Sequence, residues 1–235
     1  ASLSSHPDIN FITFTGSNEV GVLIQKAAAQ HAVKCVLELG GKSAHIVFDD
    51  ARIELAIPSI VKGIVYNSGQ TCTAGSRLLV QQGIYDEFMQ ALAEEFKKTR
   101  VGTPDMDLTC GPVINKQQFE RVNKYIEKGK TQNLHILAEG VVDNEVPSGG
   151  FYITPTLFSA PHHDFDLLKE EIFGPVLVAV PFDTEEEAIR LANDTDYGLL
   201  GAVWTENGGC QMRVAKAVQA GQVYINGFGA RGGIE

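Results

Sequence analysis

The residue best suited to covalent chemistry is Cys72, in the stretch SGQTCTAGSR. Small and polar neighbours, with Gly69 before it and Gly75 after, leave a sulfur accessible and let backbone N–H groups approach it. A helix starting just beyond would turn its positive end on the sulfur and favour the thiolate, the nucleophilic form. The plainer reading is a turn cysteine. The other three, Cys35, Cys110 and Cys210, read as inert, buried small hydrophobes. A second group is Glu38 in VLELGGKSAH. Between Leu37 and Leu39 a carboxylate is costly to bury unpaired, and strand alternation points it to solvent. Gly40-Gly41 then end the strand where a ligand or another backbone can come close. At the C-terminal end of a strand in an open α/β sheet, a carboxylate lies where ligands bind and can act as a base.

Two more carboxylates, Glu170 and Glu171, precede Ile172-Phe173-Gly174-Pro175. Such a pair reads as a solvated face or as a ribose ligand, because a carboxylate accepts both vicinal hydroxyls. Gly16-Ser17 mark a strand–helix junction whose backbone donors and dipole suit a phosphate. The full G-x-G-x-x-G fingerprint is absent. His162-His163-Asp164 suggest a metal, but adjacent side chains point apart and no second cluster completes a site, so no metal is expected. Cys–His hydrolase chemistry would need one of the six histidines oriented by a polar partner, and the sequence does not single one out.

The elements that must position these groups alternate. Phe11–Thr15 reads as a short strand, Ser17 as a helix cap, and Val20, Leu23, Ile24, Ala27 and Ala28 as the inner face of the helix it opens. Residues 35–39 read as the next strand. HIVFDD is a strand whose Asp49-Asp50 can cap a helix running to about Asn67, disturbed at Pro58. Leu78–Val80 starts a strand, and Phe88, Leu92 and Phe96 mark an amphipathic helix. Phe119, Val122 and Ile126 mark another over 115–130, and residues 138–150 read as a loop or hairpin. PVLVAVPF is a central strand, and Thr184 with Glu187 forms a capping box. GLLGAVWT is a strand, 211–220 a helix ended in a left-handed turn at Gly221, and QVYIN a last strand. Alternation of strands and helices predicts an α/β fold, a mostly parallel open sheet with helices on both faces.

Composition narrows the classes of function. The chain has 235 residues and a net charge of −10. An acidic chain without a basic stripe is not expected to bind nucleic acid. No apolar run is long enough to span a bilayer, so no membrane partner is expected. Four cysteines without a Cys-x-x-Cys pair point to a reducing, cytoplasmic compartment, or an organelle lumen if a targeting segment lies upstream. At 44% hydrophobic the chain can bury a substantial core.

Taken together, these stretches resemble the aldehyde dehydrogenase family. VLELGGKSA resembles its glutamate signature, VYNSGQTCTAGSR its cysteine signature and EEIFGPV its third common motif; FTGSNEVG and QVYIN–GFGARGG resemble flanking segments, in family order. The resemblance implies oxidation of a small-molecule aldehyde to a carboxylic acid with NAD or NADP. By that resemblance Cys72 is the nucleophile, forming a thiohemiacetal and then a thioester, and Glu38 activates the hydrolytic water. Gly16 and Ser17 would lie near the pyrophosphate, Leu39 would meet the carboxamide through its backbone, Glu171 would bind the nicotinamide ribose, and Phe173 would pack nearby. Asn226 and the loop after it would approach the substrate side. Transfer of the acyl group to coenzyme A is an alternative to hydrolysis, as is a non-catalytic fragment or relative.

The resemblance also leads us to expect that residues 1–40 are the C-terminal remnant of a cofactor-binding domain and 41–235 a catalytic domain, truncated at both ends. By the same resemblance, the second oxyanion donor, the lysine for the adenosine ribose and the final oligomerisation strand of the family are expected to lie outside these residues. The cofactor site is therefore expected to be incomplete, this chain alone inactive or weakly active, and the intact protein a homo-oligomer.

Overall fold

A computed structural model describes residues 3–229. The chain divides after Gly41 into two compact units. In the first, β1 (Phe11–Thr15), α1 (Asn18–Ala29) and β2 (Lys34–Glu38) form a strand–helix–strand unit with parallel strands. Ser17 caps α1, its Oγ accepting from the Val20 N–H at 3.4 Å. The inner face expected from the sequence is only partly covered: Ala28 is buried, whereas Val20 and Leu23 are exposed. Two strands within this unit are too narrow a platform to shelter a whole helix face.

The second unit holds β3 (Ala44–Val47), α2 (Ile53–Val65), β4 (Arg77–Gln81), α3 (Tyr85–Phe96), β5 (Arg100–Val101), α4 (Lys116–Thr131), β6 (His135–Glu139), β7 (Val141–Val142), β8 (Thr156–Ser159), α5 (Asp166–Lys169), β9 (Val176–Phe182), α6 (Glu185–Asn193), β10 (Leu200–Trp204), α7 (Gly208–Ala217) and β11 (Gln222–Ile225). Seven strands make one sheet in the order β11-β10-β3-β4-β9-β8-β6. Every pairing is parallel except the antiparallel edge pair β6–β8. The expected mostly parallel α/β sheet is present, with helices on both faces.

Strand alternation divides the core. Val47, Leu78, Val80, Ala202 and Trp204 pack with Ile57, Ile60 and Ile64 of α2 and Phe88, Leu92 and Phe96 of α3. Their neighbours Ile46, Leu79, Val180 and Val203 pack with Ala188 and Leu191 of α6 and Val214 of α7. A third cluster joins α4 and α5 to β8 and β9 through Val122, Ile126, Phe158, Leu167 and Val178. Strands buried on both sides read as continuous apolar runs, as parallel sheets require.

Several local expectations change. Asp49-Asp50 do not cap α2; the flanking residue is Arg52, and Asp50 instead accepts from Thr205 Oγ1 at 2.6 Å, tying the end of β3 to that of β10. Pro58 lies inside α2 without ending it. The segment read as loop or hairpin contains β7 and the end of β6. A bulge between Ile136 and Ala138 breaks the period-two pattern that would have revealed β6. Helix α7 ends at Ala217, and Val218 is already extended, so Gly221 makes no left-handed cap. Thr184 does cap α6, accepting from Glu187 N–H, while Glu187 reaches back to Asp183 N–H.

Candidate active site

Within the first unit the predicted residues meet at the C-terminal ends of the two strands. Thr15 pairs with Glu38, and Gly16 N–H donates to the Glu38 carbonyl at 3.1 Å. Asn18 Oδ1 accepts from Gly40 N–H at 3.2 Å, so the start of α1 holds the chain leaving β2. Leu39 packs over Gly21, where a Cβ would come within 2.6 Å of it. Gly16, Ser17, Glu38 and Leu39 are thus one cluster, and the Glu38 side chain is exposed, as strand alternation implied. Strand ends of this kind, beside a helix N-terminus, are where α/β sheets take anionic ligands.

In the second unit Cys72 lies in a half-buried turn closed by the Ala74 N–H to Thr71 carbonyl bond. No helix follows it; β4 begins at Arg77, so the anticipated helix dipole is not what acts on the sulfur. What precedes the turn is unusual. Asn67, Ser68 and Gly69 are consecutive residues with positive φ (49°, 58° and 70°), a conformation that costs side-chain-bearing residues free energy. The surroundings fix it: Ser68 Oγ donates to the Gly111 carbonyl at 2.7 Å, and Asn67 and Gln70 each donate a side-chain amide to the other's carbonyl at 3.0 Å. Gln70 Oε1 accepts from Ile114 N–H at 2.9 Å.

This strained bend seats the cysteine turn on the Glu171–Gly174 turn. A Cβ on Gly69 would stand 2.2 Å from the Gly174 carbonyl oxygen, a separation only hydrogen can fill. Helix α4 holds the second turn by its backbone: Arg121 Nη2 donates to the Glu171 carbonyl at 2.6 Å and Gln118 Nε2 to that of Phe173 at 2.7 Å. Phe173 has φ of 61° and an exposed ring. Cys72, Glu171 and Phe173 therefore belong to one pair of interlocked turns.

The Asn226 amide is engaged at the end of β10. Its Oδ1 accepts from Thr205 N–H and its Nδ2 donates to the Thr205 carbonyl, both at 3.0 Å, splicing the end of β11 to β10. Phe228, two residues on, packs on His45 with ring centroids 4.3 Å apart and reaches Gly75. Residues 230–235 of the same loop lie outside the described residues.

Three buried polar residues escaped sequence reasoning. Arg77, 2% exposed, donates to the carbonyls of Lys42, Leu191 and Ala192 at 2.8, 2.9 and 2.7 Å. Lys42 is equally buried and its Nζ lacks a hydrogen-bond partner. Burial, then the Arg77 guanidinium, push its pKa down to about 7, against the pull of Glu171 and Glu170. His45 is fully buried and its burial drives its pKa down to about 3. A lysine after two glycines was the available signal for Lys42; nothing local marks the other two. His163 bonds Asp194 through Nδ1 at 2.9 Å and lies 3.5 Å from Arg77 through Nε2, while His162 stacks on Phe165. A cleft of about 470 Å³ beside His163 contains none of the candidate residues.

The family model for the aldehyde dehydrogenase family matches residues 1–233. This chain belongs to the aldehyde dehydrogenase family. An aldehyde dehydrogenase of Emericella nidulans is 44% identical over 230 residues, covering 97% of this chain and 46% of the relative. Among solved structures, a betaine aldehyde dehydrogenase point mutant from Staphylococcus aureus, in complex with NAD+ and with a BME-modified cysteine, superposes with a TM-score of 0.91. It is 39% identical, over 97% of this chain and 47% of that one. Lactaldehyde dehydrogenase from Escherichia coli gives 0.90 at 38% identity, over 99% and 48%. The chain spans about half the length of the relatives it matches. Among the described residues, no helix is long and apolar enough to cross a membrane.

Proposed function

We propose that this chain carries the thiol, the general base and part of the cofactor site of an NAD(P)-dependent aldehyde dehydrogenase. Residues 1–40 would be cofactor-domain sequence and 41–235 the catalytic domain. The supporting observation is the interlock of Gly69 with Gly174, which ties the Cys72 turn to the turn bearing Glu171 and Phe173. A thiol and a ribose-type carboxylate on two mutually rigid turns is what an oxidation of a thiol-bound carbonyl needs.

The residues present fit a dinucleotide by the chemistry of their donors. Gly16 and Ser17 stand at the N-terminus of α1, suited to phosphate, and Leu39 offers backbone next to them. Glu171, half-buried and fixed through its own carbonyl, offers its carboxylate to vicinal hydroxyls, with Phe173 beside it. When bound, the nicotinamide supplies a hydride acceptor.

The Cys72 thiolate adds to the aldehyde carbon, forming a C–S bond and pushing the carbonyl electron pair onto oxygen. The Cys72 backbone N–H would stabilise that oxyanion. Once the carbon has lost hydride, Cys72 holds a thioester. Glu38 takes a proton from water, whose oxygen replaces sulfur at the acyl carbon, releasing the carboxylic acid and restoring the thiolate. Asn226 fixes the base of a loop on the substrate side.

The test is cysteine reactivity, read by peptide mapping after iodoacetamide at neutral pH. Cys72 should be carboxamidomethylated first, at least tenfold faster than Cys110 and Cys210. Both of these are buried with thiol pKa values pushed up by burial, Cys210 to about 11. Ester hydrolysis without cofactor should disappear in C72A. Equal rates at Cys72 and the half-buried Cys35 would overturn the proposal.

A further inference from the structure

His45 is the histidine that β3 delivers to the cysteine turn, and its hydrogen bonding is half complete. Its Nδ1 lies 3.2 Å from Trp204 Nε1. An indole N–H only donates, so Nδ1 accepts and the ring proton resides on Nε2. That Nε2–H is buried and has no hydrogen-bond partner. It lies against the backbone three residues after Cys72: a Cβ on Gly75 would stand 2.1 Å from Nε2. Phe228 closes the other side of the ring.

A buried donor without an acceptor is costly and calls for an explanation. A general-base role is excluded, because the nitrogen facing the turn already carries the proton. Its neighbours Gly63, Gly75, Trp204 and Phe228 carry no charge, and burial alone keeps the ring neutral. What remains is a fixed N–H dipole held against Gly75, three residues after Cys72, in a medium where dipoles are poorly screened.

We propose that His45 is a positioning residue for Cys72: locked by Trp204, its ring holds the backbone at Gly75, and its unpaired Nε2–H favours negative charge on the adjoining cysteine turn. The inference rests on the reading of Cys72 as nucleophile. Gly75 is then glycine because the imidazole occupies the space of its side chain, and Trp204 acts at one remove by fixing the tautomer.

Two substitutions separate the halves of the ring. In H45N the side-chain oxygen can still accept from Trp204, but nothing donates at the Nε2 position. In H45Q the amide N–H reaches that position. The measurement is the iodoacetamide rate at Cys72 as a function of pH, with Cys35 as internal reference. We expect H45N to slow Cys72 about three- to tenfold at pH 7 and to move its profile to higher pH, with H45Q within about twofold of the native chain. A purely structural role through Trp204 gives the reverse order, and that result, or native behaviour of H45N, would overturn the proposal. If the variants do not fold, the native chain still answers through ¹⁵N NMR. The His45 Nε2–H signal should shift when Cys72 is carboxamidomethylated, while that of His163, held by Asp194, should not; an unmoved His45 signal refutes the inference. Native Cys72 reacting no faster than Cys35 would instead remove the underlying reading of the cysteine.

Discussion

Replacing Gly69 by alanine probes the joint between the Cys72 turn and the Glu171–Gly174 turn. Two costs are separable. An L-residue at φ of 70° pays roughly 1–2 kcal/mol in backbone strain. The new methyl would also lie 2.2 Å from the Gly174 oxygen and 2.3 Å from its carbonyl carbon. Those are backbone atoms anchored by α4, so one turn must move, at a further cost of about 1–3 kcal/mol. Gly149 supplies the control, since its φ is 98° but nothing lies within 4 Å of its Cβ position. G149A should therefore show strain alone. Trp204, the single tryptophan and a core residue of the second unit, reports urea unfolding by fluorescence. With a urea dependence of about 2 kcal/mol per molar, G69A should lower the midpoint by about 1–2.5 M and G149A by about 0.5–1 M. G69A should also change the iodoacetamide rate at Cys72, and G149A should not. Equal midpoints for the two variants, with Cys72 reactivity intact in both, would refute the idea that contact at Gly69 sets the geometry of the cysteine turn.

Lys42 makes a pH prediction. Its pKa is about 7 folded against 10.5 unfolded, so the unfolded chain holds more protons between those values. The penalty for burying its charge is full below about 7 and is relieved as pH rises toward 10.5. Stability should climb by up to about 1.4 kcal/mol per pH unit in that window, and K42M should flatten the climb in urea titrations at pH 7, 8 and 9. His45 acts at the acid end, with a pKa of about 3 folded against 6.5 unfolded. Its contribution should be lost as pH falls from 6.5 toward 3, a fall absent from H45N. R77M strips donors from the carbonyls of Lys42, Leu191 and Ala192 and should destabilise the second unit by about 3–5 kcal/mol, read from the same fluorescence transition. Removing both side chains that hold the Glu171–Gly174 turn, Q118A with R121A, should speed amide hydrogen exchange at Phe173 and Gly174 about tenfold or more, measured by mass spectrometry.

The α/β layout was legible in the sequence because its signals are local. Apolar runs such as VLVAVPF mark strands covered on both faces, Phe88, Leu92 and Phe96 recur at helical spacing, and Ser17 and Thr184 cap helices with their own side chains. The sequence likewise singled out Cys72, Glu38 and Glu171 by residue type and by neighbouring glycines. It misjudged features whose cause lies elsewhere in the chain. Asp50 is taken by Thr205 rather than by a helix start, and a bulge hides β6. Only the tertiary structure decided how Gly69 meets Gly174, which backbone carbonyls let Arg77 sit in a core, and which nitrogen of His45 carries its proton. Each depends on partners dozens of residues away, brought within hydrogen-bond range by the order of strands in the sheet, and no pattern along the chain encodes that order.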